Sequence, residues 1–174
     1  AFAVASAGEM PDPLPAEIYC HSLTDPSILS PELQAQGVHT LTLFALHTPH
    51  ELFARTENPY TREDAKRAAL ATLNSVLAEP IEDCLYRDPA GNICLEVNTT
   101  VDIENSLGIA TGNIFHTPLD WPWAKDSTQV GTWGVETGHP RLMFCGSGAA
   151  RGGGVSGIPG HNAARAVLSN ADAR

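Results

Sequence analysis

Leu142-Met143-Phe144-Cys145, then Gly146-Ser147-Gly148, Gly152-Gly153-Gly154-Val155, Gly157 and Gly160, then Asn162-Ala163-Ala164-Arg165-Ala166-Val167-Leu168: the reading of this stretch decides the fold. A compact apolar run, a glycine-rich connection and an alanine-rich segment predict a strand, a glycine loop and a closing helix. Glycines between a strand and a helix let the backbone come close to a ligand and leave N–H groups pointing at it, a geometry that suits phosphate or another electron-rich group. Glycine clusters also make plain turns. On the residues alone, ligand cradle and structural turn both stand.

Working outward, the next segments upstream are a loop with Trp121-Pro122-Trp123 and a helix that starts at Thr99 or Thr100 and ends at Gly108. Asn92 to Val97, after the turn Asp88-Pro89-Ala90-Gly91, predicts a strand. The clearest helix signal follows Thr61: Glu63 and Asp64 supply acids to a first turn, and Ala65, Ala69, Leu73, Val76 and Leu77 recur at helical spacing as far as Pro80. Ala16 to His21 and Val38 to Leu46 predict strands, the second by alternation of Val38, Thr40, Thr42 and Phe44 with Leu41, Leu43 and Ala45. Before them, Ala7 to Pro15 carries Pro11, Pro13 and Pro15 and is an entry loop. The class is α+β: a mostly antiparallel sheet with helices, closed by one strand, glycine turn and helix.

A length of 174 residues is enough for one domain with its own core. The hydrophobic fraction of 43% and charged fraction of 17% are those of an ordinary globular chain, and no apolar run approaches a membrane span. We therefore expect a soluble, cytoplasmic protein without a transmembrane segment. Twenty acidic residues against ten basic ones give a formal net charge of -10, which disfavours nucleic acid as a partner. Cys20, Cys84, Cys94 and Cys145 have no zinc-type spacing and are read as reduced core thiols. The start, Ala1-Phe2-Ala3-Val4-Ala5, has no basic region and no initiator Met, so the expectation is a piece of a longer chain rather than a signal peptide.

The segment from Cys145 to Ala164 resembles the C-terminal signature of phytoene dehydrogenase-like FAD-dependent oxidoreductases. Gly112-Asn113-Ile114-Phe115-His116 is similar to a stretch that precedes that signature in the pyridine nucleotide-disulfide oxidoreductase-like branch. Ser22-Leu23-Thr24-Asp25-Pro26, Gly37-Val38-His39 and Phe44 to Pro49 extend the likeness over nearly the whole chain. The resemblance implies an FAD/NAD(P)-binding domain split between the two ends of a longer polypeptide, with a substrate domain between them. Residues 1–136 would then be the substrate-domain portion and 137–174 the end of the FAD-binding domain. The Gly-x-Gly-x-x-Gly turn of the other end is not in this sequence, so the N-terminal half of the same enzyme is the implied partner.

By the same resemblance, Gly146 and Ser147 would meet the ribityl or diphosphate part of FAD. Gly152, Gly153, Gly154 and Val155 would belong to the cofactor-binding turn, with Gly154 and Val155 aiming N–H groups at the flavin pyrimidine edge. Arg151 stands where many relatives have proline; a long cation there could contact a cofactor phosphate or face solvent, and solvent is the preferred reading. The implied activity is dehydrogenation or desaturation of an apolar, isoprenoid or carotenoid-like substrate by hydride transfer to FAD. The alternative is a binding or interaction module that kept the substrate-domain fold without the flavin.

Other polar residues are weighed against simpler roles. His116, after Ile114-Phe115, is the one catalytic candidate: an imidazole facing flavin or substrate could relay a proton, while the alternative is a structural histidine. His47-Thr48-Pro49-His50 has an HxxH look, but Pro49 prevents a helix carrying both rings, and no metal site is expected. His161 is read as a surface or capping residue, and Asn98-Thr99-Thr100 as a helix cap rather than a glycosylation site. Trp121 and Trp123 are read as packing residues. A chain without its other half should expose apolar faces at Leu142 to Cys145 and Ala163 to Leu168, and so self-associate.

Overall fold

The computed structural model describes residues 1–117, 123–150 and 156–172, with side chains to Ser169. Seven α-helices are present among them: α1 (Phe2–Ser6), α2 (Pro31–Ala35), α3 (Glu51–Ala54), α4 (Arg62–Asn74), α5 (Ile81–Cys84), α6 (Thr100–Leu107) and α7 (Ile158–Asp172). Two strands, β1 (Ala16–Tyr19) and β2 (Thr42–Ala45), pair antiparallel with Ala16 opposite Ala45 and Tyr19 opposite Thr42. The chain divides into two compact units, Ala1–Ile103 and Glu104–Arg174.

In the first unit, α4 begins where Thr61 predicts. The Thr61 hydroxyl accepts from the Asp64 amide at 3.1 Å and the Asp64 carboxylate accepts from the Thr61 amide at 2.8 Å, a reciprocal cap that satisfies two donors a helix start leaves open. The helix stops at Asn74, short of the expected Pro80. The reason is local: the Asn74 side chain accepts from the Ile81 amide at 2.8 Å and donates to Glu82 at 2.8 Å, so it caps the following turn instead of facing outward along a longer helix. The entry segment is pinned to α4 because Thr72 Oγ1 both accepts from the Leu14 amide and donates to the Leu14 carbonyl, which places Leu14 in the interior with Leu52 and Leu73.

The sheet is smaller than the sequence predicts. β2 starts only at Thr42 because Val38 to Leu41 is held differently: buried Ser22 Oγ takes the Thr40 amide at 2.9 Å and lies 3.1 Å from His39 Nδ1. Side-chain bonds of this kind compete with a strand ladder. The strand expected over Asn92 to Val97 is a single antiparallel bridge, Arg87 to Ile93, supported by Cys94 N donating to Tyr86 O at 2.9 Å. The strand expected at Leu142 to Cys145 is likewise one bridge, Glu136 to Met143. Neither has a second neighbour to extend it.

That shortening explains a second correction. All four cysteines are free, yet Cys84, Cys94 and Cys145 are exposed and Cys20 is half-buried, so they are not core thiols. The runs around Cys94 and Cys145 lack the covering sheet that would bury them. α6 forms as expected, with Thr99 N donating to Asp102 Oδ2 at 2.8 Å at its start and Gly108 at φ 68° after its end. No helix among the described residues is long and apolar enough to cross a membrane.

Candidate functional site

The glycine turn and the closing helix lie in the second unit, around a small core of Val135, Ala149, Ala163 and Ala166, with Trp133 and Met143 packed against it. The segment Trp133 to Glu136 is the platform. Phe144 N donates to Val135 O at 2.8 Å and Ala150 N to Gly134 O at 2.9 Å, so the chain on both sides of Gly146 is tied to it. Asn162 Nδ2 donates to Trp133 O at 3.1 Å and fixes the first turns of α7 to the same platform. α7 starts at Ile158, earlier than the alanine-rich pattern indicates, because Pro159 is tolerated in a first turn where its missing N–H is not needed.

Glu136 organises the platform from below. Its carboxylate accepts from Trp133 N at 2.8 Å and Val135 N at 3.0 Å. Burial pushes its carboxyl up, but the amides of Trp133, Glu136 itself, Val135 and Gly134 outweigh that and hold it below the usual glutamate range.

Over the platform runs the turn from Gly146 to Ala149, closed by Ala149 N donating to Gly146 O at 3.0 Å. Ala149 is buried, which anchors one end, while Ser147 and Gly148 are half-buried. The N–H groups of Gly146, Ser147 and Gly148 make no hydrogen bond among the described residues. A side chain built at Gly146 or Gly148 would meet no described atom within 4 Å, and neither glycine has a left-handed backbone. Neither packing against described residues nor backbone geometry therefore demands glycine here. What glycine supplies is bare backbone carrying three unused donors beside open space.

The second matched stretch, Gly112 to His116, comes to this turn. Thr117, immediately after it, donates through Oγ1 to the Ser147 carbonyl at 3.4 Å. His116 is exposed and sits at φ 64°, with its amide donating to Asn113 O at 2.7 Å. The structure thus ties Thr117, the residue after His116, to Ser147. The remaining predicted cofactor residues, Gly152, Gly153, Gly154 and Val155, lie outside the described residues, as do Arg151 and Trp121. His161 is exposed in the first turn of α7, and Trp123 is exposed.

His47 follows the end of β2 at φ 57° and His50 opens α3. No group of three or more His, Cys, Asp or Glu side chains arranged to hold a metal occurs among the described residues. Beside the turn, Leu142, Cys145, Ala163 and Val167 line an open groove with Arg141 as its charged member. Leu142, Phe144, Val167 and Leu168 are each more than half exposed.

Thr117, Glu136 and Asn162 were not legible as site-building residues from the sequence. Their roles arise from contacts to backbone atoms 29 or 30 residues away for Asn162 and Thr117, and to adjacent amides for Glu136. Only Asn162, a polar residue at the head of an alanine-rich helix, carried any local signal.

Comparison with known proteins relates the chain to oxidoreductase-domain proteins. Pyridine nucleotide-disulfide oxidoreductase domain-containing protein 2 of Rattus norvegicus is 29% identical over 162 residues, which cover 89% of this chain and 26% of that protein. Its counterpart of the same name in Mus musculus matches to the same extent. Uncharacterized proteins of Mycobacterium tuberculosis and Mycobacterium bovis are 56% identical over 173 residues, covering 97% of this chain and 32% of theirs. The chain spans about a quarter to a third of the length of the curated relatives it matches. No family profile matches the chain, and no solved structure matches it.

Proposed function

We propose that the chain is the C-terminal portion of a flavin-dependent oxidoreductase, of the phytoene dehydrogenase-like kind, and that the intact enzyme dehydrogenates or desaturates an apolar substrate of isoprenoid or carotenoid-like type. The observation that carries the reading is the turn at Gly146-Ser147-Gly148: three backbone donors without partners among the described residues, over glycines that neither their backbone nor their described neighbours require. Such a donor set fits FAD, whose diphosphate and ribityl oxygens and flavin ring edge accept hydrogen bonds and approach closely only where side chains are absent. The likeness to oxidoreductase-domain proteins agrees with it.

In this reading the chemistry that bound FAD would supply is acceptance of a hydride from the substrate. The chain's own residues would supply position and exclusion of water: Gly146, Ser147 and Gly148 would hold cofactor oxygens through their N–H groups. Residues 1–136 form part of the substrate domain and 137–174 complete a cofactor domain whose other part is the N-terminal half of the same polypeptide. That half would cover the exposed Leu142, Phe144, Val167 and Leu168, and in its absence these faces drive self-association. His116, exposed and next to Thr117, stands as the candidate for proton relay.

The test is retention of FAD. This chain and an intact polypeptide of the relatives' length are each incubated with FAD and passed through gel filtration, and the visible flavin band is read. Flavin retained by the intact polypeptide and lost by the chain alone is the expected result. Flavin retained by neither refutes the enzyme reading and leaves a non-catalytic binding or interaction module.

A further inference from the structure

We infer that Thr117 is a positioning residue for the glycine turn, which deepens and rests on the cofactor reading above. The peptide unit between Ser147 and Gly148 is planar and trans, so its carbonyl and its N–H point in opposite directions. Thr117 Oγ1 donates to that carbonyl at 3.4 Å. The turn's own closing bond runs from Ala149 N to Gly146 O and leaves the Ser147 carbonyl free to rotate with its plane. Holding the carbonyl on the Thr117 side therefore aims the Gly148 N–H at the opposite side, where it has no partner among the described residues.

The loop before Thr117 is built as a rigid arm rather than a slack connection. Thr111 and His116 both take left-handed backbone, at φ 55° and 64°, a region that costs any residue with a Cβ and costs the β-branched Thr111 most. Local bonds hold the shape: Thr111 N donates to Glu104 Oε1 at 2.9 Å, Phe115 N to Asn113 Oδ1 at 3.1 Å, His116 N to Asn113 O at 2.7 Å and Thr117 N to Phe115 O at 2.8 Å. Strain that persists in a short loop requires surroundings that over-determine it, and here the loop's last residue carries the tie to the turn. Removal of the Thr117 hydroxyl frees one peptide plane and lowers the preorganisation of one donor for the cofactor.

The test uses the intact polypeptide with T117V, which keeps the shape and removes the donor, and T117S, which keeps the donor. FAD affinity is measured by quenching of flavin fluorescence, alongside the apoprotein melting temperature. T117V is expected to weaken FAD binding about threefold, the loss of one long and weak hydrogen bond, with T117S matching the unmodified protein. If T117V does not fold, T117C, a weak donor, should show the same loss at smaller size. Equal affinity of T117V and the unmodified protein overturns the inference, as does equal loss in T117S. Failure of the unmodified polypeptide to bind FAD at all overturns the cofactor reading itself, and this inference with it.

Discussion

Two glycine turns in this chain do opposite work. In the turn from Asp88 to Asn92, every donor is used: Asp88 Oδ1 accepts from Ala90 N at 2.9 Å and Asn92 N at 2.8 Å, Oδ2 accepts from Asn92 Nδ2 at 2.9 Å, and Gly91 N donates to Asp88 O at 2.8 Å. Gly91 is there because its φ of 86° excludes side chains. In the turn from Gly146 to Ala149 the backbone at Gly146 and Gly148 would accept other residues, and the donors of residues 146–148 find no partner among the described residues. A glycine with a forced conformation and satisfied neighbours reports on folding, whereas a glycine with neither reports on something that must come close.

The largest effect should come from undermining the second turn's support. Val135 is fully buried, and V135A removes two methyl groups and leaves a cavity, so equilibrium denaturation should show a loss of about 2 kcal/mol. G91A should cost about 1 kcal/mol in the same measurement, because alanine must adopt the left-handed backbone.

Acid should loosen the first turn in particular. The Asn92 side-chain amide first, and then the Asn92 backbone N–H, hold the Asp88 carboxyl below the usual aspartate range. A carboxyl depressed in the folded state contributes stability that is fully present above its unfolded value of about 4 and is lost as pH falls through the folded value. Hydrogen-exchange protection factors at Ala90 and Asn92, taken relative to the intrinsic rate at each pH, should fall over that window, and D88N should remove the pH dependence. The smallest effect on stability, within about 0.5 kcal/mol, is expected for G148A, because its Cβ enters open space. FAD retention by the intact polypeptide should nonetheless fall with it. A G148A protein as unstable as G91A would erase the distinction between the turns.

What the sequence made legible was local. Thr61 with Asp64, Thr99 before α6 and Gly108 after it are signals complete within a few residues, and each appears where expected. Alternation over Val38 to Leu46 and the apolar run Leu142 to Cys145 are different, because a strand needs a partner that its own pattern does not specify. Ser22 captured the first half of one, and the other found a single residue, Glu136. For the site, Gly146 and Ser147 were visible as part of a glycine cluster and His116 as part of a matched stretch. The tie between Thr117 and Ser147 was not, since a 3.4 Å bond between residues 30 apart leaves no trace in spacing.

The core beneath the turn is made of Val135 and three alanines. Alanine is the smallest residue that still has a side chain, so at these three positions the interior cannot be made thinner except by glycine. Tolerance is therefore one-sided. Substitutions that add volume at Ala149, Ala163 or Ala166 must lift the helix from the turn, and drift at these positions is confined to residues no larger than alanine if the spacing between α7 and the unused donors is to be kept.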